Sequence, residues 1–437
     1  MNPSSDSGVD TAVDPPVDPA VDPAVVPAGR AAAAPRAPRF GLLPRILLAI
    51  VLGILLGLVM PEAIARVFTT FNGVFSGFLG FLIPLIIVGL VTPAIAELGH
   101  GAGKMLAATA GIAYFSTILC GLFALALSLL LLPRMLGGQR IDSLENPEDS
   151  AIAPYFAIEI PPVFDVMTAL VLSFCLGIGL TLVSRGALQE SFVQLRTIVV
   201  RIIEAIIIPL LPLYIFGMFL GLTMNGQIWT VIGTFLAVIL LVLGMTVVVL
   251  LAQYAVAGWA MGRNPLRMLW TMLPAYMTAL GTSSSAATIP VTTECTKRNG
   301  IPDAIADFVV PLCATIHLAG STLKITTFAV AIMIVTGMPL NLGALVGFVF
   351  MLGVVMIAAP GVPGGAIMAA AGVLSSLLGF GEAAVGLMIA AYIAIDSFGT
   401  ATNVTGDGAI AAVMSRLSKG RVSGDLTAHS APHVQGV

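Results

Sequence analysis

The chain has 437 residues, 58% of them hydrophobic and 9% charged, with a formal net charge of −3. A soluble domain carries roughly 25% charged residues, so this composition excludes an ordinary soluble fold and points to an all-α polytopic membrane protein. No basic patch with interleaved aromatics is present, which argues against nucleic-acid binding.

Residues 1–40 form a tail in which Val9-Asp10, Val13-Asp14, Val17-Asp18 and Val21-Asp22 recur with prolines between them. Proline and acid at that density cannot build a core, so the tail is read as disordered. Its acidic start lacks the cationic region of a signal peptide. Apolar runs of about twenty residues, long enough to span a bilayer, follow near 43–60, 70–96, 104–133, 165–184, 200–223 and 229–260. The pattern then changes. Residues 265–298 are broken by G-T-S-S-S-A-A-T-I-P, 301–336 form a span containing His317 and Lys324, and 339–380 hold two apolar arms around A-A-P-G-V-P-G-G-A. The last span runs from Ala383 to Met414, and residues 418–437 are a second disordered tail. The expectation is about eight transmembrane helices plus two re-entrant helical hairpins. Arginines before the first run, and Arg416, Lys419 and Arg421 after the last, place both termini in the cytoplasm by the positive-inside rule.

Paired interruptions in corresponding apolar segments point to a transporter binding site, because irregular backbone at membrane depth survives only against protein or a wet cavity. The last span carries Asp396, Thr400, Asn403 and Asp407 at i, i+4, i+7 and i+11, one helical face. Acids inside a span mark an ion or substrate path, and this set supplies oxygen ligands for a hard cation. Three of the four cysteines (Cys120, Cys175, Cys295 and Cys313) lie in apolar segments, which argues against a disulfide framework. There is no CxxC and no His/Cys cluster for a structural metal. No cofactor is expected.

The motifs S-S-S-A-A-T-I-P-V-T from Ser283, P-L-C-A-T-I-H-L-A-G-S from Pro311, G-V-P-G-G-A-I-M from Gly361 and N-V-T-G-D from Asn403 resemble the glutamate-transporter homologues, the dicarboxylate/amino acid:cation symporter family. The resemblance covers roughly Arg45 to Leu417. It implies an elevator-type homotrimer in the plasma membrane. Residues 41–260 would be helices 1–6, the scaffold plus part of the transport domain, and 261–417 the core transport domain of hairpin 1, helix 7, hairpin 2 and helix 8. It further implies that Ser284, Ser285 and Ser321 contact substrate, with Val362 and Gly364 closing over it. Asp396 would take an amino group, and Thr400 and Asn403 the amino acid core. Asp407, with the Asn403 and Cys313 carbonyls, would bind sodium.

Two departures from the family pattern matter. Acidic-substrate members carry an arginine where this chain has Gly399 or Ser283, so a symporter importing a small neutral amino acid is expected. The seventh span has His317 and Ala319 where the family has asparagine and aspartate, and Lys324 follows about one helical turn on. His317 and Lys324 are therefore coupling candidates, with sodium, a proton or both as the coupling ion. The alternative is a sodium- or proton-coupled dicarboxylate symporter, with Lys324 as counter-cation, or an acidic amino acid symporter. A channel would need a ring of like charges, which is not found. A hydrolase using Ser284 or Ser285 with His317 and Asp396 lacks a nucleophile elbow, so the chain is not expected to be an enzyme.

Overall fold

The structure is a computed structural model that describes residues 42–99, 104–137, 152–183, 186–226, 228–359 and 363–418. The expected N-terminal tail, the expected C-terminal tail beyond Ser418 (which ends the last helix), residues 138–151 of the acidic loop from Arg134 to Pro162, and Val362 at the second hairpin tip lie outside the described residues. Every regular element among the described residues is helical. In chain order the first are α1 (Leu42–Gly57), α2 (Glu62–Gly99), α3 (Lys104–Met135), α4 (Val166–Leu182), α5 (Ala187–Ile202), α6 (Ile208–Met224) and α7 (Ile228–Met261). The later ones are α8 (Pro265–Thr271), α9 (Leu273–Thr282), α10 (Ser285–Arg298), α11 (Asp303–Ile316), α12 (Ala319–Thr336), α13 (Leu342–Ile357), α14 (Gly365–Leu378), α15 (Glu382–Ala394) and α16 (Asp396–Ser418).

Five helical stretches are long and apolar enough to cross a bilayer: Glu62–Ala96, Met105–Met135, Ala187–Met224, Ile228–Met261 and Asp303–Thr336. The bent pair α15 and α16 makes a sixth. The shorter α1 and α4, of 16 and 17 residues, complete the expected set. Two spans differ from the sequence expectation. The span read near 200–223 already begins at Ala187, where α5 runs into α6 through a π-helical turn, Ile203–Ile207. Arg196, Arg201 and Glu204 lie inside it, and these charges dilute the apolar signal. The last span is two helices bent by 63° at Ile395 rather than one.

The helices sort into two packed groups. In the first, α1 lies along α6, and α2 against α4, α5 and α6. The α1–α6 crossing is close because Gly53 and Gly57 sit four residues apart on the contact face. A Cβ at Gly53 would fall 2.8 Å from the Phe216 carbonyl oxygen, and one at Gly57 would fall 2.7 Å from the Thr223 Cβ. This is the small-residue spacing that lets membrane helices approach. In the second group, α16 is the central element, touching α7, α9, α10, α11 and α12, while α3 packs on α12 and α13. Residues 396–412 of α16 are all buried except the half-buried Phe398. A helix of such modest polarity buried all round needs partners for its polar groups, and those partners make up the site.

The α1–α6 crossing generates a test. Gly57→Val should destabilise the protein by about 1–3 kcal/mol through overpacking, read as a lower unfolding midpoint in detergent. Gly347→Ala, where a Cβ meets nothing within 4 Å, should leave that midpoint unchanged.

Candidate functional site

Four chain breaks converge on α16. The first hairpin turns at Ser283, the one non-glycine among the described residues with positive φ, at 51°. Ser284 then caps α10 by accepting from the Ala287 N–H at 3.3 Å. Ser285, buried, opens that helix. Ala401 and Val404 of α16 cluster with Ala279, Tyr276 and Leu280 of α9, which seats this arm of the hairpin on α16. The second hairpin re-enters helix at Gly364, whose φ of 76° suits glycine. The seventh span breaks at His317 and Leu318, which are non-helical between α11 and α12. The eighth breaks at Ile395.

Breaks expose backbone donors and acceptors, and side chains of α16 answer them. The Asn403 Oδ1 accepts from the Gly320 N–H at 2.8 Å and the Ser321 N–H at 3.4 Å, capping α12. Its Nδ2 donates to the Ser321 Oγ at 3.1 Å, and the Tyr392 hydroxyl donates to that same oxygen at 2.9 Å. Gly320 permits this contact, since a Cβ there would lie 2.7 Å from the Gly399 carbonyl oxygen.

Lys324, in α12, is 1% exposed. Its ammonium donates at 3.3 Å to the Asp396 Oδ1, the Asp396 carbonyl and the Ile395 carbonyl, the latter two at the α15–α16 bend. It also sits 3.9 Å from the centre of the Tyr392 ring, a cation–π geometry. The other carboxylate oxygen of Asp396, Oδ2, accepts from the Gly364 N–H at 2.8 Å. Thr400 donates to the Asp396 carbonyl at 3.2 Å. Gly399 is not open space. A Cβ there would fall 2.2 Å from the Lys324 Cε and 2.3 Å from its Nζ. A cation carried by α12 thus stands in the room that Gly399 leaves.

A second acid–base pair lies along α16. The Nδ1 of His317 is 2.9 Å from the Asp407 Oδ1, and both side chains are buried. The His317 Nε2 is 3.1 Å from the Ser116 Oγ, which accepts from the Gln253 amide at 3.2 Å. The Asp407 Oδ2 is buried without a hydrogen-bond partner among the described residues. An unpartnered carboxylate oxygen is the kind of ligand a hard cation takes. The Cys313 carbonyl accepts from the His317 N–H at 2.8 Å.

The site residues expected from sequence therefore gather along α16 and the breaks around it, apart from the undescribed Val362. Tyr392, Ser116 and Gln253 were missed. Tyr392 stands four residues before Asp396, on the other side of the bend, so no single helical face links them in the sequence; the other two are polar residues inside apolar spans, a signal that sequence carries.

The sequence pattern of the sodium:dicarboxylate symporter family matches residues 42–417. The chain belongs to this family. Among named members, it is 31% identical over 254 residues to excitatory amino acid transporter 1 of Rattus norvegicus, covering 57% of this chain and 46% of that protein. It is 31% identical over 255 residues to excitatory amino acid transporter 3 of Mus musculus, covering 56% and 48%. An excitatory amino acid transporter of Caenorhabditis elegans is 28% identical over 265 residues, covering 59% and 52%. The chain spans about half the length of the curated relatives it matches. Members of the sodium:dicarboxylate symporter family are transporters, and the breaks described above fall in the part of the chain that the family pattern covers.

The ion pair is open to a stability test. Lys324→Met leaves the Asp396 charge buried without its ammonium and should cost about 3–5 kcal/mol, as breaking one side of a buried pair does. Adding Asp396→Asn should return part of that loss, measured as unfolding midpoints of the single and double variants.

Proposed function

We propose that the protein is a sodium-coupled symporter for a small acidic solute, an acidic amino acid in the first instance. The observation that carries this reading is the Lys324 ammonium standing in the space at Gly399, 3.3 Å from the Asp396 carboxylate. The expectation of a neutral substrate rested on Gly399 as an uncharged gap. With Lys324 in that gap, the site offers a buried cation for a side-chain carboxylate and a buried acid for an amino group, so the acidic-substrate alternative replaces it. A carboxylate entering this pocket avoids the cost of an unpaired buried charge, and the relatives named as excitatory amino acid transporters support the same class.

In this reading the α-carboxylate meets the N–H groups at the start of α10 around Ser284 and Ser285, because helix N-termini attract anions. Asp396 takes the amino group, Lys324 the distal carboxylate, and Ser321, Thr400 and Asn403 line the remaining surface. Sodium is the co-transported ion, with the free Oδ2 of Asp407 as its charged ligand and the Asn403 and Cys313 carbonyls as further oxygens. Around this site we place an elevator motion of the hairpin-bearing group against the α1–α6 group, a homotrimer, the plasma membrane, and cytoplasmic termini.

One observation favours a second reading, a dicarboxylate without an amino group. Asp396 is already engaged by Lys324 and the Gly364 N–H, which leaves its carboxylate no need of a substrate ammonium. Uptake into proteoliposomes under a sodium gradient separates the two. Glutamate or aspartate should be taken up, and succinate should compete weakly. Strong succinate uptake with none of either amino acid selects the second reading, while preferred uptake of alanine or serine rejects both.

Two variants test the assigned roles. Lys324→Gln should raise KM for the acidic substrate by one to two orders of magnitude, on the scale of about 1.4 kcal/mol per tenfold, with a smaller effect on maximal rate. Asp407→Asn should flatten the sodium dependence of uptake, measured as initial rate against sodium concentration; an unchanged curve would remove Asp407 from the ion site.

A further inference from the structure

Tyr392 is held at three points. Its hydroxyl donates to the Ser321 Oγ at 2.9 Å, and its ring centre lies 3.9 Å from the Lys324 ammonium. Its carbonyl, at the bend, accepts from the Ile395 N–H at 3.2 Å. Ser321 and Lys324 stand three residues apart in α12, a spacing that puts them on one side of the helix. A single side chain from the end of α15 therefore braces both. Tyr392 is 1% exposed, so no water competes for the face of its ring.

The ammonium needs such a wall. Its N–H groups reach the Ile395 carbonyl, the Asp396 carbonyl and the Asp396 Oδ1, each at 3.3 Å. Charge-assisted bonds close to about 2.7–2.9 Å, so none of the three grips the lysine tightly. All three acceptors come from two neighbouring residues, and Gly399 adds no side chain to lean on. Lysine carries its charge on a flexible four-carbon stem. The Tyr392 ring closes another side of this loose cage. In a dry site, an ammonium over an aromatic face gains enough to shift a binding constant by about tenfold.

We propose that Tyr392 is a positioning residue for acidic substrates: it fixes the Lys324 ammonium in the space beside Gly399, where the distal carboxylate is received. This rests on the acidic-substrate reading above. The tyrosine acts through the lysine. The hydroxyl sets the plane of the ring by its bond to Ser321, and the ring sets where the charge stands. When a substrate oxygen replaces the Asp396 Oδ1, the two carbonyls and the ring keep the ammonium in place. Leucine at this position has neither the π face nor the anchor. Lys324 would then be free to move before substrate arrives, and binding would bear the cost of ordering it. That cost falls on the affinity for a charged substrate and not on the movement of the carrier.

Uptake of labelled glutamate by the full-length protein in proteoliposomes, under a sodium gradient, tests this. Tyr392→Leu should raise KM about tenfold and leave the maximal rate per folded carrier within about twofold of wild type. Tyr392→Phe keeps the ring and should recover most of that loss. In a Lys324→Gln background, Tyr392→Leu should raise KM no further. A fall in maximal rate at unchanged KM, no recovery with phenylalanine, or the same loss without the lysine would each overturn the proposal.

Unfolding midpoints in detergent read the brace without transport. Tyr392→Leu, Lys324→Met and the double variant form a cycle. The double variant should lose less than the sum of the two single losses; additive losses overturn the brace. Absence of acidic amino acid uptake by wild type, with a non-additive cycle, overturns the positioning role together with the substrate reading and leaves only the tyrosine–lysine contact standing.

Discussion

A lysine and an aspartate held out of water in the middle of a helical membrane protein constrain everything around them. Each ion alone would cost several kcal/mol to bury, and their attraction offsets this only when the remaining hydrogen-bonding capacity is also met. The structure meets it from three directions. The bend at Ile395 brings two main-chain carbonyls to the ammonium, the Tyr392 ring covers it, and the hairpin glycine Gly364 donates to the far oxygen of the acid. Gly399 completes the arrangement by being absent as a side chain: any Cβ there would collide with the lysine. The 63° bend, the glycine and the tyrosine all serve one ion pair.

The same logic repeats along α16. A broken helix leaves N–H and C=O groups without partners, and in an apolar surrounding each must be satisfied. Asn403 supplies the acceptor for the start of α12, and Asp407 faces the histidine that ends α11. Acids of the last span are thus answered by bases of the seventh, Asp396 by Lys324 and Asp407 by His317. The Oδ2 of Asp407 is the exception, a buried carboxylate oxygen with no hydrogen-bond partner among the described residues. One acid at the start of α16 is thus fully engaged by a lysine, while the acid midway along it keeps one oxygen without a hydrogen-bond partner among the described residues.

Much of the architecture was readable from the chain. Runs of twenty apolar residues announce spans because a bilayer sets their length. Interrupted runs rich in serine, glycine and proline announce hairpins, because those residues are used where a helix must stop. Arg196, Arg201 and Glu204 hid the first half of the fifth span, since charge lowers the apolar signal whatever the backbone does. The bend at Ile395 was invisible for the opposite reason: no proline or glycine stands at 394–395, and the tertiary demand of Lys324 and Asp396 for carbonyl partners accompanies a break that local propensity does not require.

The site divides in the same way. Sequence determined that Asp396, Thr400, Asn403 and Asp407 share a helical face, because spacing alone fixes which side chains line up. It determined that two hairpins and a polar seventh span accompany that face. It could not say what fills the space beside Gly399, because that depends on a residue seventy-five positions away in α12. Only the packing of α12 on α16 decides that a lysine from a neighbouring helix fills that space, and that Asp396 is already bound on both of its oxygens. Charge partners in a membrane are set by which helices touch, and a periodic pattern records only which face of one helix is available to be touched.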